Sequence, residues 1–416
     1  MLSFREARAK VIETIRAAQL SALTASATQS IQLIETVPLG DALGRVLARA
    51  IAADRDYPPF NRSTRDGFAV RSADLAAPGA ALEIVGEIRA GAAFAGVIGA
   101  GQCAEIMTGA AVPEGADAVV MIEHAHVAGG RMRSERVAEP DQNIAARASE
   151  ARSGDVLLAA GSRMGAAEMG VAAQVGSARV EVAARPRVAI LSTGDEVVGV
   201  EDSAGPLQIR NSNGVSVAAL VEMAGGAAIG LGNAADNTDV LHGLIEKGLR
   251  GSDILILSGG VSAGKYDLVE PVLKAMGAEF FFDAVAIRPG RPTVFGRCRN
   301  VWIFGLPGNP ASTMVTFELF VRPAIELLQG AEPQPLPLMA ARLTKPVRQK
   351  AALTHFLPAR IEWSADGLPS VAELPWQSSG DIVAIARGNG FLVVRPERLE
   401  MAAGEWAEFW PRRDAI

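Results

Sequence analysis

The spacing of apolar residues changes along the chain and divides it into segments of different fold class. Phe4, Ala7, Val11, Ile15 and Ala18 recur at helical spacing, which predicts an amphipathic helix over 3–20. Ser3 and Glu6 make its capping box. A short strand at 31–37 and a second helix at 41–50 are expected next, joined by a Ser/Thr-rich piece. Pro58 and Pro59 then exclude a regular element between Asp54 and Arg65. Phe60 and Phe68 are placed to anchor that loop, leaving Asn61, Ser63 and Asp66 free to bind. Spacing alone favours a polar turn closed by Asp66-Gly67.

Residues 80–150 carry short apolar runs at 82–88, 103–108 and 117–123, separated by turns such as Pro113-Glu114-Gly115. They read as a small antiparallel β domain. Glu123-His124-Ala125-His126 would put both imidazoles on one face of a strand. With only four histidines in the chain, these read as surface residues and not as metal ligands. More short strands are expected over 154–184. From Arg187 the pattern alternates: strands at 188–192, 227–231, 254–257 and 301–304, helices at 213–222, 238–250, 268–276 and 311–329. Such alternation predicts a parallel sheet covered on both faces. Ala331 to Pro337 is a proline-rich linker. Strands at 339–344, 355–363, 370–374, 382–386, 391–395 and 406–410 then suggest a small barrel.

Composition narrows the classes. A chain of 416 residues is long enough for roughly three domains. Its net charge of −6, with both signs mixed, gives no basic footprint for nucleic acid. No stretch has the ~20 uninterrupted apolar residues of a membrane span, and the N-terminus lacks a signal-peptide pattern. Two distant cysteines, Cys103 and Cys298, suit a reducing compartment and read as inert core thiols. A cytoplasmic protein is expected.

Ligands of parallel sheets sit beyond the carboxyl ends of the strands. That rule selects Thr193-Gly194-Asp195-Glu196, the region of Asn233 and Asp236, and the stretch from Ser258 to Asp267. It also selects Pro307-Gly308-Asn309-Pro310 with Ser312, while Arg288 and Arg291 flank prolines between the last two loops. Gly259 to Lys265 fits a nucleotide P-loop, but Tyr266 stands where that motif needs Ser or Thr for magnesium. An anion cradle of another type follows, built from Gly259, Gly260, Val261, Ser262 and Gly264. Singly, Asp195, Glu196 and Asp236 read as helix-start residues, the proline loop as a turn and the arginines as solvated. Together they combine glycine-lined N–H groups, carboxylates and arginine forks. That set points to a phosphorylated ligand with a divalent cation.

Ser192 to Glu196, Ser258 to Gly264 with Asp267, and Gly305 to Pro310 resemble the signature of the molybdopterin-binding fold. Phe60 to Ala69, Ile106 to Ala110 and Pro113 to Val120 extend the resemblance to the molybdopterin molybdenumtransferase (MoeA) family, related to the E domain of gephyrin. It covers nearly the whole chain. The fold implied is multi-domain α/β plus β. A small β domain (55–150, carrying Asp66) is inserted into an elongated N-terminal domain (1–54 and 151–185). A three-layer molybdopterin-binding α/β/α domain (186–330) and a C-terminal β-barrel (331–416) follow.

The activity implied is insertion of molybdate into adenylylated molybdopterin, releasing AMP, with Mg2+ or a similar divalent cation. The resemblance implies catalytic roles for Asp66, Glu196, Asp236 and Asp267, with Glu196 and Asp267 as metal ligands. It implies that the terminal phosphate lies on the Gly259–Gly264 and Gly308–Asn309 loops, and that Arg288 and Arg291 stand where the family has lysines near molybdate. A homodimer is implied, with a molybdopterin adenylyltransferase as pathway partner. The chain departs from the family at Ala145, Ala146, Glu150 and Pro358. A divergent paralogue remains the alternative, either a pterin-binding scaffold or an enzyme inserting another oxyanion such as tungstate.

Overall fold

The computed structural model describes residues 1–25, 34–260, 268–365 and 367–415. Two compact units emerge, one of residues 1–35, 44–48 and 181–416, the other of 36–43 and 49–180.

In the larger unit the helix Phe4–Ala25 starts on the expected capping box, with the Ser3 N–H donating to Glu6 Oε2 at 2.8 Å and the Glu6 N–H to Ser3 Oγ at 3.3 Å. Phe4, Ala7, Val11 and Ile15 are buried, so one stripe of the helix joins the core shared with the 317–328 segment. Burial of side chains such as Val11 and Ile15 stabilises by about 1.5–3 kcal/mol each.

The central sheet has the strand order Ala227–Ala234, Arg187–Thr193, Ile254–Ser258, Val301–Leu306, Val294–Cys298, Glu279–Phe282. The first four are parallel, as the alternation predicts; the last two add by antiparallel pairing, with Glu279–Phe282 at the edge, and the apolar spacing did not reveal them. Ile254 to Ser258 is buried throughout. Ile254 and Ile256 join the cluster on one sheet face, and Leu255 and Leu257 the cluster on the other. A continuous apolar run is therefore the signature of a strand covered on both sides. Helices Ser212–Met223, Thr238–Gly251 and Val269–Ala275 fall within a residue or two of their expected spans. The expected long helix is α-helical over Pro310–Thr316 and Arg322–Leu328, with a π turn at Phe317–Val321. Pro323, which has no N–H to donate, follows the widened turn.

The C-terminal strands Thr354–Trp363, Pro369–Glu373, Met339–Leu343, Trp406–Pro411 and Gly390–Val394 pair in that order. The last pairs back to the first, closing a five-stranded barrel. Residues 382–386, expected as a strand, form instead the helix Ile382–Arg387, because the Asp381 carboxylate accepts the Ala384 N–H at 3.0 Å and caps it.

In the smaller unit a six-stranded sheet runs Ala118–Met121, Gly67–Val70, Gln102–Ile106, Ala81–Ile88, Arg131–Ser134, Ala125–Ala128. It is mixed and not purely antiparallel, since Ala81–Ile88 and Gln102–Ile106 are parallel. Cores lie on both faces, around Phe68 and Val70 on one and Ala69 and Ile106 on the other. Further expectations fail here and at the unit boundary. Residues 41–50 form turns and isolated bridges, not a helix. His124 ends a 3-10 turn, so only His126 lies on the strand, where it meets Glu135 at 2.6 Å. The helix Ala166–Gln174 lies where short strands were expected. Cys103 and Cys298 are buried free thiols, and burial pushes Cys103 up to about 12. No helix among the described residues is long and apolar enough to cross a membrane.

Candidate functional site

The parallel strands of the larger unit end level with one another. Ser192 is in register with Ser258, Thr193 with Ala234, and Ser258 with Leu306. After Arg187–Thr193 the chain passes to the neighbouring strand on one side (227–234) and then crosses to the other side (254–258). This reversal opens a crevice at the carboxyl ends.

A cleft of about 510 Å³ occupies it, and Thr193, Gly194, Glu196, Asp236, Ser258, Gly259 and Gly260 contribute to its lining. Pro307, Gly308, Asn309 and Pro310 close another side. Eleven of the residues singled out in the sequence therefore line one cavity. Asp195 stands beside it, its Oδ1 accepting the Asp236 N–H at 2.9 Å.

The glycines allow a close approach. Gly259 and Gly260 have φ of +96° and +62°. A Cβ on either would stand 2.8 Å from its nearest neighbour, the Thr193 carbonyl oxygen and Val269 Cγ2 respectively. The Thr193 hydroxyl oxygen is buried with no hydrogen-bond partner among the described residues, a polar group left for a ligand or water.

Asn213, expected from the sequence only as the start or cap of the helix at 213–222, ties three loops together. Its side-chain nitrogen donates to Ser258 Oγ at 2.8 Å and to the Gly308 carbonyl at 2.7 Å, while its Oδ1 has no partner among the described residues. Its neighbour Asn211 accepts from Ser192 Oγ at 3.0 Å and caps the helix Ser212–Met223 through the Gly214 N–H at 2.8 Å. The only sequence signal was a polar Asn-Ser-Asn run before an apolar helix. Arg210 and Ile209 line the same cleft and carried no signal.

The carboxylates are not absorbed by capping. Asn237 caps the helix Thr238–Gly251, leaving Asp236 free of that duty. Asp195 and Glu196 lie in a turn, not at a helix start. Burial, and then the negative charges of Asp195 and Glu196, hold the Asp236 carboxyl above its ordinary value. No three His, Cys, Asp or Glu side chains among the described residues stand close enough to hold a metal on their own. Magnesium uses one or two carboxylates plus substrate phosphate oxygens, so repelling carboxylates beside a glycine cradle fit it.

Arg288 and Arg291 lie elsewhere. They line a second cleft of about 550 Å³ together with Ser312 and barrel residues including His355, Trp376 and Ser379. Pro292, Pro307 and Asn309 belong to both linings, so the two clefts share a wall. Asn309 Nδ2 donates to Ser379 Oγ at 2.7 Å, and the Ser379 carbonyl accepts the Ala311 N–H at 3.0 Å. The first turn of that helix is thus partly taken by the barrel loop. The arginine side chains make no hydrogen bond or ion pair among the described residues. Val261, Ser262, Gly264 and Asp267 lie outside the described residues.

Asp66 belongs to the smaller unit. It is exposed, and its Oδ1 accepts the Thr108 N–H at 2.7 Å. The surrounding loop packs on the other two segments singled out there. The Gly109 N–H donates to the Ser63 carbonyl at 2.8 Å, the Arg147 N–H to Asn61 Oδ1 at 2.9 Å, and Arg62 pairs with Glu150 at 3.0 Å. Of the expected anchors Phe68 is buried, but Phe60 is 40% exposed; Tyr57, 6% exposed, fills that role.

Comparison with known proteins agrees with this architecture. Residues 2–176 match the MoeA N-terminal region (domain I and II), 189–327 a probable molybdopterin binding domain, and 340–411 the MoeA C-terminal region (domain IV). The molybdopterin molybdenumtransferase of Bacillus subtilis is 36% identical over 86% of this chain and 85% of its own. That of a Nostoc species is 39% identical over 71% of this chain and 70% of its own. The solved structure of the molybdopterin biosynthesis moeA protein from Pyrococcus horikoshii OT3 aligns at a TM-score of 0.80 and 25% identity, over 99% of this chain and 100% of that one.

Proposed function

The chain belongs to the MoeA family, and we propose that it inserts molybdate into adenylylated molybdopterin and releases AMP. It is a transferase of molybdenum cofactor biosynthesis. The observation that carries the finer reading is the pair of clefts joined at Pro292, Pro307 and Asn309, one glycine-lined with carboxylates, the other holding two arginines without partners among the described residues. An adenylylated pterin needs the first type of lining for its phosphates. A tetrahedral metal oxyanion needs the second.

In this reading Gly259, Gly260 and Gly308 let the backbone approach the terminal phosphate of the pterin. Thr193 offers its hydroxyl to the same group. Glu196 and Asp236 would hold a magnesium or similar divalent ion, with Asp267 as the further ligand expected from the sequence. When bound, such an ion offsets phosphoanhydride charge as the adenylyl group leaves. Arg288 and Arg291 orient the oxyanion, and the shared wall at Asn309 keeps the two substrates adjacent.

A homodimer is part of the same proposal, with Asp66 acting in the site of a second copy. So are a cytoplasmic location and a pathway partner that adenylylates the pterin. The relatives are named for the transferase, so the scaffold and tungstate alternatives are not favoured. Expression in a host lacking its own family member tests the function. Restored molybdoenzyme activity is expected, and a folded, expressed protein that restores none contradicts it.

A further inference from the structure

His355 is one of the few ionisable groups in the arginine cleft, and it is 1% exposed. It lies on the barrel strand Thr354–Trp363, which pairs with Val394 on one side and in parallel register with Arg288 on the other. His355 and Leu357 line the cleft, while the intervening Phe356 joins the core on the opposite face. His355 Nε2 stands 2.9 Å from the Ala351 carbonyl oxygen. A carbonyl only accepts, so Nε2 carries the proton. Nδ1 is then a bare lone pair, buried and without a partner among the described residues. A buried acceptor left open on a residue that lines a cleft with two arginines is costly and calls for an explanation.

The charged surroundings supply one. Arg288 on the register-partner strand and Arg291 in the same loop are the other ionisable groups of the lining. Gln349 and Leu353 from the segment before the strand, and Trp376 to Ser379 from the barrel loop, bring none. Lys350 is exposed, and Arg395, just beyond Val394, is committed to Glu408 at 2.6 Å. No carboxylate lines this cleft among the described residues. An unprotonated imidazole is what burial beside arginines selects. In agreement, burial lowers His355 from its ordinary value, Arg288 lowers it further, and the Ala351 carbonyl opposes both.

A tetrahedral dianion arriving on the arginines reverses that balance. Its oxygens offer no donor to Nδ1, so a neutral His355 would set a lone pair against an oxyanion. A protonated one would donate a hydrogen bond and add a positive charge. We propose that His355 takes one proton from solvent onto Nδ1 when an oxyanion docks on Arg288 and Arg291, and donates that proton to it as a hydrogen bond. His355 is thus a positioning and charge-sensing residue whose protonation favours dianions over neutral or singly charged competitors. The inference rests on the arginine cleft being the oxyanion site.

The test is calorimetric titration of the full chain with molybdate, and separately with sulfate, in buffers of different ionisation enthalpy between about pH 6 and 8.5, where these dianions do not themselves titrate. Uptake approaching one proton per oxyanion is expected. So is an apparent affinity that falls up to about tenfold per pH unit between the free and bound titration points of His355. His355→Gln, which keeps hydrogen-bonding capacity but cannot titrate, should bind with no uptake and a flat pH profile. Imidazole 15N signals of the unsubstituted protein give an independent readout, since there are only four histidines. One should move to the doubly protonated position on adding oxyanion. Binding without proton uptake, or uptake unchanged in a folded His355→Gln, overturns the role of His355 and leaves the cleft assignment standing. No binding at any pH overturns both.

Discussion

Asn309 donates its side-chain amide to Ser379 Oγ at 2.7 Å, and this contact closes the wall between the glycine cleft and the arginine cleft. The α/β domain supplies one partner and the barrel the other. A neutral hydrogen bond of this type contributes about 0.5–1.5 kcal/mol. Ser379→Ala should therefore lower kcat/KM for molybdate by about two- to tenfold while shifting thermal stability little. Steady-state AMP release against molybdate concentration measures it. An unchanged kcat/KM would show that the wall does not align the two substrates.

Gly259→Ala places a Cβ 2.8 Å from the Thr193 carbonyl oxygen at a φ of +96°. Strain of about 1–3 kcal/mol is expected. The urea midpoint should fall and pterin binding should weaken, because relief requires the cradle to move away from Thr193. Gly101, also at positive φ but with open space around it, is the control for strain outside the cleft.

Asn213→Ala removes the donor to both the buried Ser258 hydroxyl and the part-buried Gly308 carbonyl. A loss of about 1–3 kcal/mol is expected. Asn213→Asp should do at least as badly, since a carboxylate cannot donate to the Gly308 carbonyl. Denaturant midpoints of the two variants check this.

Asp236 titrates above its ordinary value in the folded chain through burial and the charges of Asp195 and Glu196. The folded state therefore holds its proton to higher pH than the unfolded state. Its ionised form weakens folding once the pH rises above the unfolded value, near pH 4. Without divalent ions, Asp236→Asn should have a higher thermal midpoint than the unsubstituted protein at neutral pH, and the advantage should vanish near pH 3. Magnesium should raise the midpoint of the unsubstituted protein and do so less for the variant. Scanning calorimetry across pH with and without magnesium reads both effects.

Much of this arrangement was legible in the sequence because it rests on local chemistry. Buried parallel strands announce themselves as apolar runs, and glycines at strand ends mark backbone approach, as at Gly259 and Gly308. What escaped was set by tertiary context. Glu279–Phe282, at the sheet edge, and Val294–Cys298 beside it are short strands whose pairing depends on a neighbour, not on period. Residues 382–386 alternate too weakly to separate strand from helix, and the Asp381 cap decides. Asn213 ends a polar Asn-Ser-Asn run and His355 sits in an apolar strand pattern, and only the fold shows what each of them joins. Arg288 and Arg291 were expected beside the carboxylates; the fold puts them across a shared wall.

The transferase reading is tested most directly by a single turnover with adenylylated molybdopterin, molybdate and magnesium, counting AMP released and molybdenum bound to the product in the same sample. One AMP per molybdenum inserted is expected, with no product when molybdate is omitted and little from Arg291→Ala. AMP release with no molybdenum in the product, or neither from a folded protein that binds the pterin, would contradict it.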